Sequence, residues 1–282
     1  MIERPAQDAS PASSPDRVPV LAPDAATVVL ARDAGEVAGT VEVLLLERHA
    51  GSRMAPGAFA FPGGRVEPDD TSPDAERLCR GLTGAAAARI LHDVRPAGRA
   101  IGFWIAALRE LFEETGLLLA CDGSGASFGS GEAGRERLQQ YRARCRSGGG
   151  VFRTMLLDEG LRLATDRMVY YAHWITPEER PVRYDTRFFV AAAFPDGSPE
   201  PDGIEVVAAR WLTPAAAVAA HQEGALSLPF VTQRVLRSVG RYPTVAALLE
   251  AARSREVRPI RPRIVLAGGQ ERLLLPGDPG YF

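Results

Sequence analysis

Apolar and polar positions alternate over the first part of the chain in a way that predicts strands joined by tight turns. Residues 26–34 (ATVVLARDA) and 41–50 (VEVLLLERHA) are rich in β-branched and aliphatic side chains, and the GEVAG between them has a glycine at each end. This arrangement predicts a β-hairpin. A short aromatic strand is predicted in GAFAFPGG, residues 57–64, where Pro62, Gly63 and Gly64 should end it.

Helical periodicity dominates the middle of the chain. Between residues 99 and 115, apolar side chains recur on one face of a helix with about 100° per residue, and Gly116 follows as a C-cap. These apolar positions are Ile101, Trp104, Ile105, Leu108, Leu111 and Phe112. Residues 71–97 before this helix form a polar, alanine-rich insert, with short helices predicted near 74–80 and 84–92.

The remainder of the chain predicts a mixture of helices and strands. Helices are expected at 135–146, 151–160, 228–239 and 244–254. Another helix should begin with Thr213 as N-cap and Pro214 at its first position. Strands are expected in MVYYAHWIT, DTRFFVAAA and EVVAARWLT, and the tail from residue 262 could form a hairpin. Strands mixed with long helices indicate an α/β or α+β protein. The sequence has no internal repeat and no convincing linker, so we expect a flexible leader at 1–20 and a single domain over 21–282.

Composition narrows the classes of function and of binding partner that the sequence allows. The 282 residues are 46% apolar and 24% charged, which suits a globular protein with a real core. The net charge of −2 gives no basic footprint for nucleic acid or an anionic membrane, and no apolar run reaches the length of a membrane span. Three widely separated cysteines fit a reducing, cytoplasmic location better than a disulfide framework.

The helix over 99–115 also carries an acidic cluster. Glu110, Glu113 and Glu114 are spaced i, i+3 and i+4, on the side opposite the apolar face, so their carboxylates can converge. A solvated acidic face is one interpretation. The other is a metal site, because no lysine balances the cluster, a Pro-Gly-Gly break precedes it, and hard divalent cations such as Mg²⁺ take oxygen ligands.

The string GGRVEPDD…RELFEETGL resembles the Nudix box, G-x5-E-x7-R-E-U-x-E-E-x-G-U, where U is aliphatic. Its second half matches completely from Arg109 to Leu117, whereas Asp70 replaces the first glutamate and 38 residues replace the usual seven. The strings AFAFPGG, FWIAALRELFEETGLLLA and DTRFFVAAA also resemble the coenzyme A diphosphatase branch of the Nudix hydrolases, in which an insert interrupts the box at about this position.

The resemblance implies an α/β fold, specifically an α/β/α sandwich around a mixed sheet, with helical insertions at about 71–97 and a helical C-terminal extension. It also implies an enzyme that hydrolyses a diphosphate linkage in a small nucleotide derivative, using Mg²⁺ or Mn²⁺ and an attacking water. Coenzyme A or acyl-coenzyme A is the substrate favoured by analogy. Hydrolysis of ADP-ribose, a dinucleotide or another nucleoside diphosphate derivative is the alternative. No nucleic-acid or membrane partner is expected, and the chain could be a monomer or a homodimer.

A catalytically inactive ligand-binding regulator with the same fold is a further alternative. It is less favoured because all three glutamates are kept and the sequence has no basic recognition helix. The box glutamates, Glu110, Glu113 and Glu114, are the metal ligands that the resemblance implies, with the carbonyl of Gly64 as an additional one. Glu110 or a neighbouring box glutamate such as Glu113 would act as the base, and Arg109 would orient the carboxylates by salt bridge.

Asp70 and Glu67 would support the cluster from outside the ligand set, although Asp70 could instead cap a helix of the insert and Glu67 could be a solvated loop charge. Arg53, Arg65 and Arg187 could bind a substrate phosphate, or could be surface charges. Glu205, which precedes VVAARWLT, could supply a carboxylate from outside the box.

Overall fold

A mixed eight-stranded sheet forms the centre of the molecule in a computed structural model that describes residues 21–35, 39–52, 54–126, 128, 132–145, 150–194 and 197–281. The predicted leader at 1–20 and the predicted phosphate ligand Arg53 lie outside these residues. The strands are β1 Asp24–Asp33, β2 Val41–Arg48, β3 Phe59–Ala60, β4 Gly63–Arg65, β5 Ala120–Cys121, β6 Arg162–Leu163, β7 Met168–Ile175, β8 Asp185–Ala192, β9 Val206–Leu212, β10 Pro259–Ile260, β11 Arg263–Ala267 and β12 Gln270–Leu274.

Strand β1 lies at the middle of this sheet. The order is β10-β7-β8-β1-β2-β3, with β4 also pairing β1 and β9 also pairing β2. Strand β1 runs parallel to β8 and antiparallel to β2 and β4. Its side chains alternate between two buried faces: Val28 belongs to one hydrophobic core and Val29 to the other. A sheet buried on both faces needs a helical layer on each side.

In the part of the chain that the structure describes, seven α-helices supply those layers. They are α1 Gly84–Ile90, α2 Gly102–Thr115, α3 Glu132–Cys145, α4 Val151–Asp158, α5 Pro214–Gln222, α6 Phe230–Val239 and α7 Val245–Arg253. Residues of α1 to α4 pack in one core and residues of α5 to α7 pack in the other. The α/β/α sandwich expected from the resemblance is therefore confirmed.

Several local predictions differ from the structure. Gly63 and Gly64, predicted together with Pro62 to break a strand, belong instead to β4, which pairs with the start of β1. Helix α2 begins at residue 102 rather than 99, because residues 97–99 form a 3-10 turn, and the helix predicted near 74–80 is a 3-10 turn over Ala75–Leu78. The two-residue strands β5, β6 and β10 are too short to give a periodic signal. The tail does form a hairpin, β11–β12.

Helix α2 is the element that positions the candidate site. It packs against β1, β4 and β8, and most of its residues are buried. Gly116 ends it in the left-handed region, with φ of 74°, and donates its N–H to the Phe112 carbonyl at 2.7 Å. Among the described residues, no helix is both long and apolar enough to cross a membrane.

Candidate active site

The last two turns of α2 bring the box glutamates against β4. The backbone N–H of Gly63 donates to a carboxylate oxygen of Glu114 at 3.0 Å. A Cβ on Gly64 would lie 2.4 Å from the carboxylate carbon of Glu110, closer than real Cβ contacts come. Gly64 is therefore required by this close approach of strand and helix, whereas a Cβ on Gly63 would lie 2.5 Å from the Ala26 carbonyl of β1.

Arg109 holds the carboxylates together. Its Nη1 donates to Glu110 at 3.0 Å and to Glu113 at 3.3 Å, and its Nε and Nη2 donate to the two oxygens of Asp70 at 3.0 and 2.9 Å. Nη2 also donates to the carbonyl of Arg65 at 2.9 Å. Only a planar guanidinium fork can serve so many acceptors at once, so Arg109 fixes the positions of three carboxylates and one end of β4.

Asp70 keeps its place beside the cluster despite the long insert that follows it. It is 2% exposed and lies in a 3-10 turn, Pro68–Thr71, where it accepts the backbone N–H of Glu67 at 2.8 Å. Asp70 thus contacts Arg109 and a turn that precedes the insert, while the N-cap of the insert helix α1 is Thr83. The insert follows this turn, and the chain returns to Asp70 through Arg109 of α2. The length of the insert therefore does not prevent the contact between Asp70 and Arg109.

The cluster is short of positive charge. Burial raises the pKa of Glu110 to about 7, with Arg109 acting in the opposite direction. Burial also raises the pKa of Glu113, and it raises that of Glu114 well above its usual range, with the Glu110 charge adding to the effect. Glu114 is 5% exposed, so the interpretation of a solvated acidic face is wrong for this residue. A bound cation would favour the ionised carboxylates and reverse these shifts.

The predicted convergence of all three box carboxylates is not seen. Within the ranges that the structure describes, no group of three or more His, Cys, Asp or Glu side chains is arranged to hold a metal ion. Glu114 turns to Gly63, whereas Glu110 and Glu113 turn to Arg109. The donor set nevertheless fits Mg²⁺, which is usually held by one or two carboxylates together with substrate phosphates and water.

The cluster lines part of a cavity of about 1280 Å³. We call this charged part of the lining the acidic end; it comprises Gly63, Gly64, Arg65, Glu67, Asp70, Arg109, the box glutamates, Arg48 and Glu205. Glu205 is presented by a turn in which Asp202 accepts the N–H groups of residues 204–206, and its charge raises the pKa of Glu113. It is thus a carboxylate from outside the box that faces the cluster.

The comparison with known families decides the assignment. A sequence model described as the NUDT19 Nudix domain matches residues 23–231, which is most of the chain. The chain is a Nudix hydrolase. Nudix hydrolases generally use divalent metal ions.

Named relatives agree with this family. The chain is 29% identical over 209 residues to the acyl-coenzyme A diphosphatase NUDT19 of Gallus gallus, covering 63% of this chain and 55% of that protein. It is 25% identical over 218 residues to the Xenopus laevis protein of the same name, covering 67% and 57%. The match thus spans little more than half the length of these relatives. A crystal structure of a Nudix hydrolase from Alicyclobacillus acidocaldarius is similar, with 28% identity, a TM-score of 0.68, and coverage of 85% of this chain and 99% of that one.

The structure does not bring every predicted residue to the Nudix cluster. Arg187 is 3% exposed and bonds Asp185 and Asp93 at 2.7 Å, with Asp24 at 3.5 Å, while its guanidinium lies 4.6 Å from the Phe103 ring centre. Its register in β8 points it away from the cavity, where Thr186 and Phe188 lie. The prediction of a phosphate ligand is not supported for Arg187, because carboxylates of the protein already occupy its fork.

Two residues near the cluster had little or no sequence signal. Arg48 lines the acidic end, where its charge lowers the pKa of Glu114. It lies at a register shift between β2 and β9, and such bulges re-aim side chains. The second residue is Gly63, whose N–H donates to Glu114. The box pattern specifies Gly64 but not the residue before it. Neither contact could be read from spacing, because both depend on how β4 and β9 meet the sheet.

Proposed function

We propose that this protein is a divalent-metal-dependent diphosphatase whose substrate is coenzyme A or an acyl-coenzyme A. The observation that carries the proposal is the packing of Glu114 against Gly63 and of Glu110 against Gly64 in the lining of a large cavity. The chicken and frog relatives are named as acyl-coenzyme A diphosphatases, which supports the substrate class. The free, buried cysteines are compatible with a cytoplasmic location, which stays part of the proposal.

The proposed ligands of Mg²⁺ or Mn²⁺ are Glu110, Glu113 and Glu114, with the carbonyl of Gly64. Their raised pKa values support this assignment, because buried carboxylates this close together are costly without a cation. When bound, the divalent ion would neutralise diphosphate oxygens and acidify an attacking water. Two of these carboxylates also bond Arg109, so ion binding would compete with or re-aim those contacts.

The protein's own groups have separate proposed tasks. Glu110, Glu113 or Glu205 takes the proton from the attacking water, since all three line the acidic end. Arg109, supported by Asp70, positions the carboxylates rather than touching substrate. Arg65, exposed at the same end, is the proposed phosphate ligand among the described candidates, and Glu67 contributes charge at the rim. Charge stabilisation and positioning of this kind suffice for phosphoryl transfer without a covalent intermediate.

The experiment that tests this function is a substrate panel with Glu110→Gln as the matched variant. Purified protein is incubated with Mg²⁺ or Mn²⁺ and free coenzyme A, an acyl-coenzyme A, ADP-ribose or a dinucleotide, and the phosphorylated products are quantified. We expect cleavage of the coenzyme A compounds, reduced by about 10²–10⁴-fold in Glu110→Gln if this residue is the base. Glu250→Gln, on the exposed face of α7, is the control.

Preferred cleavage of ADP-ribose or a dinucleotide would contradict the substrate assignment while keeping the metal assignment. Ligand binding without cleavage of any compound would instead favour the regulator. Full activity in a folded Glu110→Gln variant would remove Glu110 from the catalytic machinery.

A further inference from the structure

The cavity that the box glutamates line also has a set of lining residues of different chemistry. We call this set the apolar end; it comprises Trp174, Phe188, Phe230, Val231, Pro262 and Leu273. Trp174 and Phe188 are each 6% exposed, and the Trp174 and Phe230 rings meet edge to face with centres 6.2 Å apart. One continuous cavity therefore joins carboxylates to a hydrocarbon and aromatic wall.

Part of that wall comes from outside the region that matches the family. Leu273 belongs to the β11–β12 hairpin and Pro262 directly precedes it, whereas the match to the family ends at residue 231. Strand pairing places Leu273 beside Ile264, and Leu273 is half-buried. The hairpin is thus an addition that completes one side of the cavity.

Polar contacts hold the hairpin over the segment between β7 and β8. Arg180 bonds Glu271 at 2.9 Å, Arg261 bonds Glu178 at 2.8 Å, and the Tyr281 hydroxyl donates to the Arg261 carbonyl at 2.7 Å. The segment 177–182 that these ion pairs engage also lines the cavity. The ion pairs are exposed, so they contribute more to the position of the hairpin than to stability.

We propose that the apolar end receives the acyl-bearing arm of an acyl-coenzyme A, and that the β11–β12 hairpin selects for it through Leu273. This inference rests on the proposed function. A cavity of about 1280 Å³ is large beside the roughly 300–1,000 Å³ of ordinary ligand pockets, so it has room for more of the substrate than its diphosphate.

An apolar chain fits this wall better than a nucleotide base does. Burying a base requires hydrogen-bond partners for its ring nitrogens and exocyclic groups. The six residues that define the apolar end offer hydrocarbon and aromatic surface. Among the polar groups in the same lining, the Thr176 hydroxyl already accepts the Tyr184 N–H at 3.0 Å and Arg180 already bonds Glu271 at 2.9 Å, while Tyr184, Thr186 and Thr232 add hydroxyl groups. Burial of a flexible hydrocarbon chain needs only apolar contact.

The test compares Leu273→Trp with Leu266→Trp. Both change a leucine of the same hairpin, but Leu266 is 66% exposed and does not line the cavity. The measurement is kcat/KM for a long-chain acyl-coenzyme A, free coenzyme A and ADP-ribose, with thermal unfolding as a check on folding. We expect Leu273→Trp to lower the ratio of acyl-coenzyme A to free coenzyme A by about tenfold, through KM, because pockets discriminate by about that much per misplaced group. Leu266→Trp should leave the ratio unchanged.

Leu273→Ala keeps the test decisive if the tryptophan variant does not fold. It should lower the same ratio about fourfold, equivalent to one lost buried methylene. An unchanged ratio in folded Leu273 variants, or an equal loss on all three substrates, would overturn the inference while leaving the diphosphatase intact. If the parent protein cleaves no coenzyme A compound, the proposed function fails first, and the inference fails with it.

Discussion

The two ends of the cavity are built in opposite ways. At the acidic end, the box glutamates and Arg109 come from two turns of one helix, and charged contacts of 3.0 and 3.3 Å join Arg109 to Glu110 and Glu113. At the apolar end, Trp174, Phe230 and Leu273 come from a strand, a helix and a hairpin far apart in the chain. We propose that catalysis depends on the first arrangement and substrate selection on the second, so changes at the two ends should have effects of different size and kind.

The largest effect is expected from a methyl group at the acidic end. In Gly64→Ala, the Cβ would meet the Glu110 carboxylate at 2.4 Å, and either the helix or the carboxylate must move. We expect kcat to fall by about 10²-fold for every substrate, since a misplacement of about 1 Å can cost that much. Gly98→Ala is the matched control, because a Cβ at Gly98 meets nothing within 4 Å. Equal activity in the two variants would contradict the close approach of β4 and α2.

A smaller effect concerns the pH dependence of stability at the acidic end. The pKa of Glu110 is about 7 in the folded, metal-free protein and about 4.5 when unfolded, so the folded state holds its proton more tightly. Stability should therefore fall as pH rises from about 4.5 to 7, by on the order of 3 kcal/mol from this residue. Because cations bind the ionised form, Mg²⁺ should raise the melting temperature more at pH 8 than at pH 5.5.

Thermal unfolding with Mg²⁺ and with EDTA at both pH values checks this expectation. Glu110→Gln should reduce the fall in stability in EDTA, since an amide does not titrate. A larger Mg²⁺ effect at pH 5.5 would reverse the sign and contradict the assignment of these carboxylates as ligands.

The smallest effect is expected at the apolar end. Arg180→Gln removes the ion pair with Glu271, whose side chains are 41% and 46% exposed. The free energy of unfolding should change by less than about 1 kcal/mol. Turnover of free coenzyme A should change less than that of a long-chain acyl-coenzyme A, as measured by kcat/KM. An equal loss on both would show that the hairpin does not act on the acyl arm separately.

The same contrast explains what the sequence could predict. The matched half of the box is local, so its helix, its Gly116 cap and its glutamates were predictable from a period of 3.6 residues. The α/β/α sandwich followed from the resemblance and is confirmed. The roles given to the individual site residues stay predictions, although Asp70, Glu67, Arg65 and Glu205 all line the same cavity as the box.

The remaining features depend on contacts between distant segments. Nothing in the sequence around Arg187 shows that Asp24, Asp93 and Asp185 surround it, since Asp93 comes from the insert. The pairing of β4 with β1 also joins distant segments. The first half of β1 pairs with β4 on one edge and with β8 on the other. Likewise, the position of the C-terminal hairpin beside the cavity is set by exposed ion pairs that no local pattern specifies.

The most direct test of the central claim is a Mn²⁺ titration of the folded protein at pH 7.5, with free Mn²⁺ measured by its paramagnetic resonance signal. The wild type should bind Mn²⁺, and Glu110→Gln and Glu113→Gln should weaken that binding by at least the 10–100-fold that loss of a supporting group typically causes. Glu250→Gln should bind as the wild type does. Equal Mn²⁺ affinity in all four proteins would contradict the claim that the carboxylates of α2 hold the ion beside the diphosphate.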